Sequence, residues 1–234
     1  MVGRTGPWPP ASVMAALRPE EREALLSSGT EIEFPHDSCL VRQGEPAGEL
    51  FVLLDGYVKV VMTTAEGVPV IMAIRARGDL IGEFAVLDGG RRTASVITID
   101  TVIATRISMR RYREFDDRFP GAAKRFYDGV LGKMRATMER RIQARAWDAR
   151  TRLAKTLHDL AATHGVPAEE GVEIPLPLSQ LELGSLAGAS EATTERHLHE
   201  FRVLGLVRTR YRKIVVLDLD GLGALWEEHW DPPA

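Results

Sequence analysis

Between Ile81 and Ser95 the chain reads Ile-Gly-Glu-Phe-Ala-Val-Leu-Asp-Gly-Gly-Arg-Arg-Thr-Ala-Ser. This run places a glycine, a carboxylate, a guanidinium and a hydroxyl close together: Gly82, Glu83, Arg92 and Thr93. The set suits an anion carrying a phosphate next to a free hydroxyl. A guanidinium holds phosphate oxygens through paired, charge-assisted hydrogen bonds. Thr93 adds a hydroxyl donor, Glu83 accepts from the ligand hydroxyl, and Gly82 lets the backbone approach closely. The other reading of the same residues is an ion pair between Glu83 and Arg92 on a turn, with no ligand.

A second cluster lies near the other end of the chain. Arg196, Arg202, Arg208, Arg210, Arg212 and Lys213 fall in one short stretch with Glu200 as the only acid. Such a stripe suits contact with duplex phosphates, which supply most of the affinity for DNA. A solvated surface with incidental arginines is the bland alternative. The whole chain carries 30 Lys and Arg against 33 Asp and Glu, a net of −3, and its isoelectric point is about 6.1. Residues 148 to 234 alone hold nine basic and fourteen acidic side chains, a net of −5. Any nucleic-acid affinity must therefore come from local clustering.

Other chemistry is poorly supported. Gly221-Leu-Gly223 is followed by Ala-Leu-Trp and fails the dinucleotide-binding pattern, and neither a Walker loop nor a nucleophile elbow occurs. No catalytic residue is expected. The six histidines are scattered, and His197 and His199 would point about 200° apart on a helix, so no metal site is expected. The single cysteine, Cys39, excludes an internal disulfide and an all-Cys iron–sulfur site within one chain. In its apolar, strand-like context it is expected to be a buried small hydrophobe. No apolar run approaches the ~20 residues that span a bilayer. The opening MVGRTGPWPP lacks an apolar signal region, so a cytoplasmic location and no membrane partner are expected.

The elements that position these residues follow from periodicity. Met1 to Pro10 is rich in Pro and Gly and expected to be poorly ordered, and Pro19 to Ser27 reads as a short helix. From Thr30 to Ser108, short apolar runs separated by turn signals predict a β sandwich or barrel. Leu50 to Leu54, Asp55-Gly56 and Tyr57 to Val61 together predict a two-stranded hairpin. Phe119 to Trp147 predicts one long helix, with Val130, Met134, Thr137, Arg141 and Ala144 at coiled-coil spacing. That seam predicts a homodimer, unless the helix simply covers its own β domain. Thr151 to His164 is helical. Ser179-Gln-Leu-Glu182 has the capping-box form, Gly188-Ala-Ser190 is a tight turn, and Glu191 to Leu204 is a second helix. Two helices joined by so short a turn form a helix-turn-helix. Leu206 to Leu217 then folds back as a wing, and Trp226 and Trp230 pack the last helix.

This order of parts resembles the CRP/FNR family of bacterial transcription regulators, over about residues 12 to 228. The resemblance implies an α+β chain: an N-terminal β jelly roll of the cyclic-nucleotide-binding kind (12–116), a long dimerisation helix with its hinge (117–147) and a C-terminal winged helix-turn-helix (148–234). Residues 81 to 95 are similar to the family's phosphate-binding cassette. The implied effector is a cyclic nucleotide, cyclic AMP first and cyclic GMP or another nucleotide after it, with no tightly bound cofactor. Its implied ligands are Gly82, Glu83, Phe84, Arg92 and Thr93, joined from the long helix by Thr137, which stands fifteen residues before Arg152 as in the family. Met138 replaces the Ser or Asn that reaches the other subunit's nucleotide, which opens the choice to a guanine nucleotide or dinucleotide.

Ser190-Glu-Ala-Thr-Thr-Glu-Arg196 is similar to the family's recognition segment at Ser190, Thr193 and Arg196. The implied DNA contacts are Ser179, Ser190, Glu191, Thr193, Thr194, Arg196, His197, Arg210 and Arg212. Glu191 stands where the family has an arginine, and it cannot pair with guanine O6 and N7, since both are acceptors. A different operator is therefore expected, with Arg196 as its principal base reader. The implied partners are a double-stranded DNA operator, a second copy of the chain and the nucleotide, with RNA polymerase as a further one. Two alternatives stay open: the same fold with a different effector or none, and a nucleotide sensor acting on a protein partner.

Overall fold

The computed structural model describes residues 6–10, 12–84 and 89–227; the side chains of 123, 130, 133, 136, 140 and 141 lie outside this description. The chain divides into two compact units, Met1–Thr137 and Met138–Ala234.

In the first unit, α1 (Val13–Ala16) and α2 (Pro19–Ser27) precede eight strands: β1 (Thr30–Phe34), β2 (Cys39–Val41), β3 (Glu49–Asp55), β4 (Val58–Thr63), β5 (Pro69–Arg75), β6 (Leu80–Ile81), β7 (Ser95–Thr98) and β8 (Val102–Ser108). Helices α3 (Met109–Arg118) and α4 (Pro120–Ala146) follow. The strands form two four-stranded sheets, in the orders β1-β8-β3-β6 and β2-β7-β4-β5. Side chains on a strand alternate between faces, and β3 uses both faces. Phe51 and Leu53 enter a core with Leu40, Val58, Val96 and Val102 between the sheets. Leu50 and Val52 pack on the other side against Met14, Leu25, Tyr112 and Phe126 of the helices.

The expected hairpin across Asp55-Gly56 does not form. Strand β3 pairs with β8 and β6, whereas β4 pairs with β5 and β7. The chain crosses from one sheet to the other at Gly56, whose φ is +82°. A Cβ there would lie 2.5 Å from the Thr101 carbonyl oxygen. Asp100 fixes the crossing by accepting from the Tyr57 N–H at 2.7 Å. Local turn chemistry could not foresee that both partners of β3 come from much later in the chain. The consecutive hairpin is β4–β5, closed by the Thr64 and Val68 backbones around Gly67.

Two further expectations are corrected. Cys39 is exposed, because β2 is an edge strand, and its thiol donates to the Val41 carbonyl at 3.1 Å. Of the N-terminal leader, residues 1–5 lie outside the described residues, but Gly6 to Pro10 is held in place. Arg77 donates to the Gly6 and Pro7 carbonyls at 2.9 and 2.8 Å and lies 4.1 Å over the Trp8 ring.

Helix α4 packs closely on α1 at Gly129, where a Cβ would lie 3.1 Å from Val13. Of the expected seam, the Val130 and Arg141 side chains lie outside the described residues, and Thr137 is half-buried. Among the described residues, the exposed large apolar side chains of α4 are Tyr127, Leu131, Met134, Met138 and Ile142, spaced 4, 3, 4 and 4 residues apart. Of the seam residues whose side chains are described, this stripe includes Met134.

In the second unit, α5 (Ala149–His164) buries Leu153, Ala154, Leu157, Leu160 and Ala161 on one face. Its N-cap, Asp148, accepts from the Thr151 N–H at 2.8 Å. Strands β9 (Val166–Ala168), β10 (Gly171–Ile174), β11 (Val207–Arg210) and β12 (Lys213–Val216) form one sheet in the order β11-β12-β10-β9. The wing is thus larger than the expected hairpin, because Val172 and Ile174 pair with Val216 and Ile214. Helices α6 (Gln180–Ala187) and α7 (Glu191–Val203) form the helix-turn-helix, and α8 (Leu219–Glu227) follows the wing. Ser179 and Glu182 make the reciprocal capping box at α6. Gly188 ends that helix at φ +64°, and Gly184 admits α7, since a Cβ would lie 2.6 Å from the Thr194 hydroxyl. Trp226 on α8 packs near Trp147 and His158, with ring centroids at 6.5 and 5.4 Å. Trp230 lies outside the described residues.

Candidate functional site

Strand β6 ends at Ile81 and delivers Gly82 at φ +88°. No side chain fits there, because a Cβ would meet the Arg92 guanidinium. Opposite, the Arg92 backbone pairs with Glu45 and Gly44, each at 2.8 Å, so Arg91 points out and Arg92 in. Arg92 is only 6% exposed; its Nη1 donates to the Gly82 carbonyl at 3.0 Å and its Nη2 to the Glu49 carbonyl. Glu83 is equally buried. Burial pulls the Arg92 pKa down from the usual guanidinium value, and the charges of Glu49, Glu83 and Glu45 oppose that pull. A desolvated guanidinium stays protonated, and an anionic oxygen would offset its lost hydration.

These groups border a cavity of about 90 Å³. Gly82, Glu83, Phe84, Arg92 and Thr93 all line it, so the structure brings together the five cassette residues singled out in the sequence. Residues 85–88, within the same cassette, lie outside the described residues. Thr137 is not among the lining residues, and Met138 is 61% exposed. The sequence reading missed the apolar walls, among them Val41, Val60 and Val96, and a second guanidinium, Arg75. Arg75 ends β5, and its one signal was a cation closing an apolar run.

The second candidate region is built on α6, α7 and the wing. Ser190 caps α7 by accepting from the Thr193 N–H at 3.2 Å, and its hydroxyl donates to Thr193 Oγ1 at 2.8 Å. Ser179 is likewise spent as a cap, accepting from the Glu182 N–H. Glu191 and Arg196 are exposed on α7, and Arg210 and Arg212 on the wing. Thr194 is withdrawn as a DNA contact. It is fully buried against Gly184, and its hydroxyl donates to the Ser190 carbonyl at 2.9 Å. The His197 side chain is only 13% exposed and packs at 3.2 Å from Glu200, so it is poorly placed to reach DNA itself.

The basic stripe is partly neutralised within the unit. Arg208 pairs with Glu170, Lys213 with Glu173 at 2.7 Å and Arg212 with Glu182 at 3.9 Å. Among the described residues, Arg196, Arg202 and Arg210 have no carboxylate partner, and Arg202 instead donates to the Thr209 hydroxyl at 2.8 Å. Arg152 does a different job: its guanidinium donates to the carbonyls of Trp147, Ala187 and Gly188 at 2.5, 2.9 and 2.8 Å. It thus ties the residue after α4 to the turn of the helix-turn-helix. Among the described residues, no group of three or more ligating side chains could hold a metal, and no helix is long and apolar enough to cross a membrane.

Comparison with known proteins bears on both regions. Residues 31–118 match the family described as cyclic nucleotide-binding domain, and residues 151–225 match the Crp-like helix-turn-helix domain. A CRP-like cAMP-activated global transcriptional regulator of Mycobacterium tuberculosis is 25% identical over 212 residues, 91% of this chain and 95% of the relative. The cAMP-activated global transcriptional regulator CRP of Salmonella typhimurium is 26% identical over 186 residues, 79% of this chain and 88% of the relative. Among solved structures, FixK2 from Bradyrhizobium japonicum superposes with a TM-score of 0.76 at 18% identity, covering 88% of this chain and 99% of that one. The c-di-GMP responsive global regulator CLP of Xanthomonas campestris gives 0.72 at 21% identity, with coverage of 85% and 99%.

Proposed function

Since this chain belongs to the CRP/FNR family of transcription regulators, with a cyclic nucleotide-binding domain and a Crp-like helix-turn-helix, we propose that it is a cytoplasmic homodimer whose DNA binding is gated by a cyclic nucleotide. In this reading residues 12–116 receive the effector, 117–147 form the dimerisation helix and hinge, and 148–234 bind a double-stranded operator. The observation that carries the effector reading is the buried Arg92, aimed with Glu83 and Thr93 into one cavity. Arg92 takes the phosphate, Thr93 donates to it and Glu83 accepts from the ribose 2′-hydroxyl. Cyclic AMP is the first choice, as it is named for the Mycobacterium and Salmonella relatives. The exposed apolar stripe from Tyr127 to Ile142 supports the dimer, because 3- and 4-residue spacing gives a seam that a second copy of the helix can match. Ligand binding shifts α4 through Thr137. The Arg152 fork, on the Trp147 carbonyl and the helix-turn-helix turn, passes that shift to the recognition helix.

One observation favours a second effector. Arg75 brings another guanidinium to the cavity, and a guanidinium matches the paired acceptors of guanine or of a second phosphate. Cyclic GMP and cyclic di-GMP are therefore the alternatives. Calorimetry with the three nucleotides, on the wild type and Arg92→Gln, tests both readings. The expected result is saturable binding of one nucleotide, weakened at least about tenfold in Arg92→Gln, consistent with ~1.5–3 kcal/mol for a hydrogen bond to a charged group. Equal binding by the two proteins, or none by either, refutes the pocket assignment.

A further inference from the structure

On α7, Arg196 is not held by a carboxylate but by a neighbouring ring. Its Nη2 lies 3.2 Å from His197 Nε2. The other ring nitrogen, Nδ1, lies 3.2 Å from Glu200 Oε2, and Glu200 Oε1 accepts from Arg150 Nε at 2.6 Å. Arg150 stands in the first turn of α5 and also lies 6.0 Å over the Phe201 ring. Burial acts to raise the Glu200 carboxyl, but its hydrogen bonds to Arg150 and His197 outweigh that and hold it below the usual carboxylate range. An ionised carboxylate only accepts hydrogen bonds, so the contact at Nδ1 requires the proton on that nitrogen. A guanidinium only donates, so the contact with Arg196 assigns the lone pair to Nε2. The tautomer is fixed by the carboxylate behind the ring, the same logic by which second partners orient metal-binding histidines.

A guanidinium carries five N–H groups in a planar fork. Bonding one Nη2 hydrogen to His197 leaves the other Nη2 hydrogen, which with the adjacent Nε or Nη1 hydrogen still forms a fork for an outside acceptor pair. Without His197 the exposed side chain would spread over many rotamers, and ordering it would cost binding free energy. We propose that His197 is a positioning residue: backed by Glu200 and Arg150, it presents Arg196 to a base edge while itself remaining off the DNA. The inference rests on the reading of Arg196 as the principal base reader.

The test selects operators from random DNA pools with the full-length protein and its nucleotide, then measures affinity for the selected site and for each single-base variant. Four proteins are compared: wild type, Arg196→Ala, His197→Leu and His197→Gln. Arg196→Ala should flatten preference at one position per half-site. His197→Leu should reduce the same preference about five- to tenfold, with an unchanged salt slope, since no phosphate contact is lost. His197→Gln should restore most of it, because the amide can donate to Glu200 and accept from Arg196. Combined with Arg196→Ala, His197→Leu should add nothing. If Arg196→Ala leaves all preferences intact, the base-reader assignment fails. If Arg196→Ala flattens a position but His197→Leu does not, or weakens every sequence equally, the positioning role is overturned.

Discussion

Arg92 and Glu191 are two charged side chains at the proposed effector and DNA sites, and their surroundings decide what each can do. Arg92 is buried and fixed by carbonyls, whereas Glu191 is exposed in the first turn of α7. A carboxylate at that place accepts from the amino group of cytosine or adenine and repels guanine O6 and N7. Replacing it by arginine, Glu191→Arg, should move the selected operator toward guanine at one position per half-site, by ~1–3 kcal/mol of discrimination. An unchanged selected sequence would contradict a base contact at this residue. The cassette was legible because Gly82, Glu83, Arg92 and Thr93 sit close in the chain and have distinctive chemistry. Arg75, Thr194 and Cys39 were not legible, since their roles depend on where a strand ends, which helix face is inward and which strand forms an edge. None of those is a local property.

At the scale of elements, caps were the most readable features. Ser179 with Glu182, Ser190 and Gly188 each act through their own helix end, so the helix-turn-helix boundaries followed from sequence. Asp148 caps α5 in the same way. The Thr151 backbone N–H is the main cause that holds its carboxyl below the usual value, against the opposing effect of burial. A depressed carboxyl stabilises the fold above its unfolded value, about 3.9, and that contribution is lost as pH falls through the folded value. Asp148→Ala should therefore cost about 1 kcal/mol near neutral pH. Chemical denaturation curves of variant and wild type should converge below about pH 4; a constant gap would assign the loss to packing. Strand pairing was less readable than capping. Asp55-Gly56 has ideal hairpin chemistry, yet β3 and β4 join different sheets, because both edges of β3 are taken by β8 and β6.

For the molecule as a whole, net charge of −3 and paired wing cations set a limit on unspecific attraction. If, beside the base reader Arg196, only Arg202 and Arg210 neutralise phosphates in each of two subunits, the slope of log affinity against log salt should be about −4, taking −0.9 per phosphate contact. Engagement of the paired cations as well, five per subunit, would make it about −9, and titration of binding with salt separates the two. The crossing at Gly56 has another effect. Strand β8 is the partner of both β1 and β3, and β7 of both β2 and β4. Of the earlier strands, only the β4–β5 and β3–β6 pairs can form before those two exist. During synthesis the N-terminal unit must therefore stay open until Ser108 has cleared the ribosome, and its mostly non-local pairing slows closure. Nascent chains stalled at successive lengths should develop folding force in one step after that residue emerges. Until then the edges of β1 and β2 are exposed to other chains, so this regulator would depend on chaperone cover during the first half of its own translation.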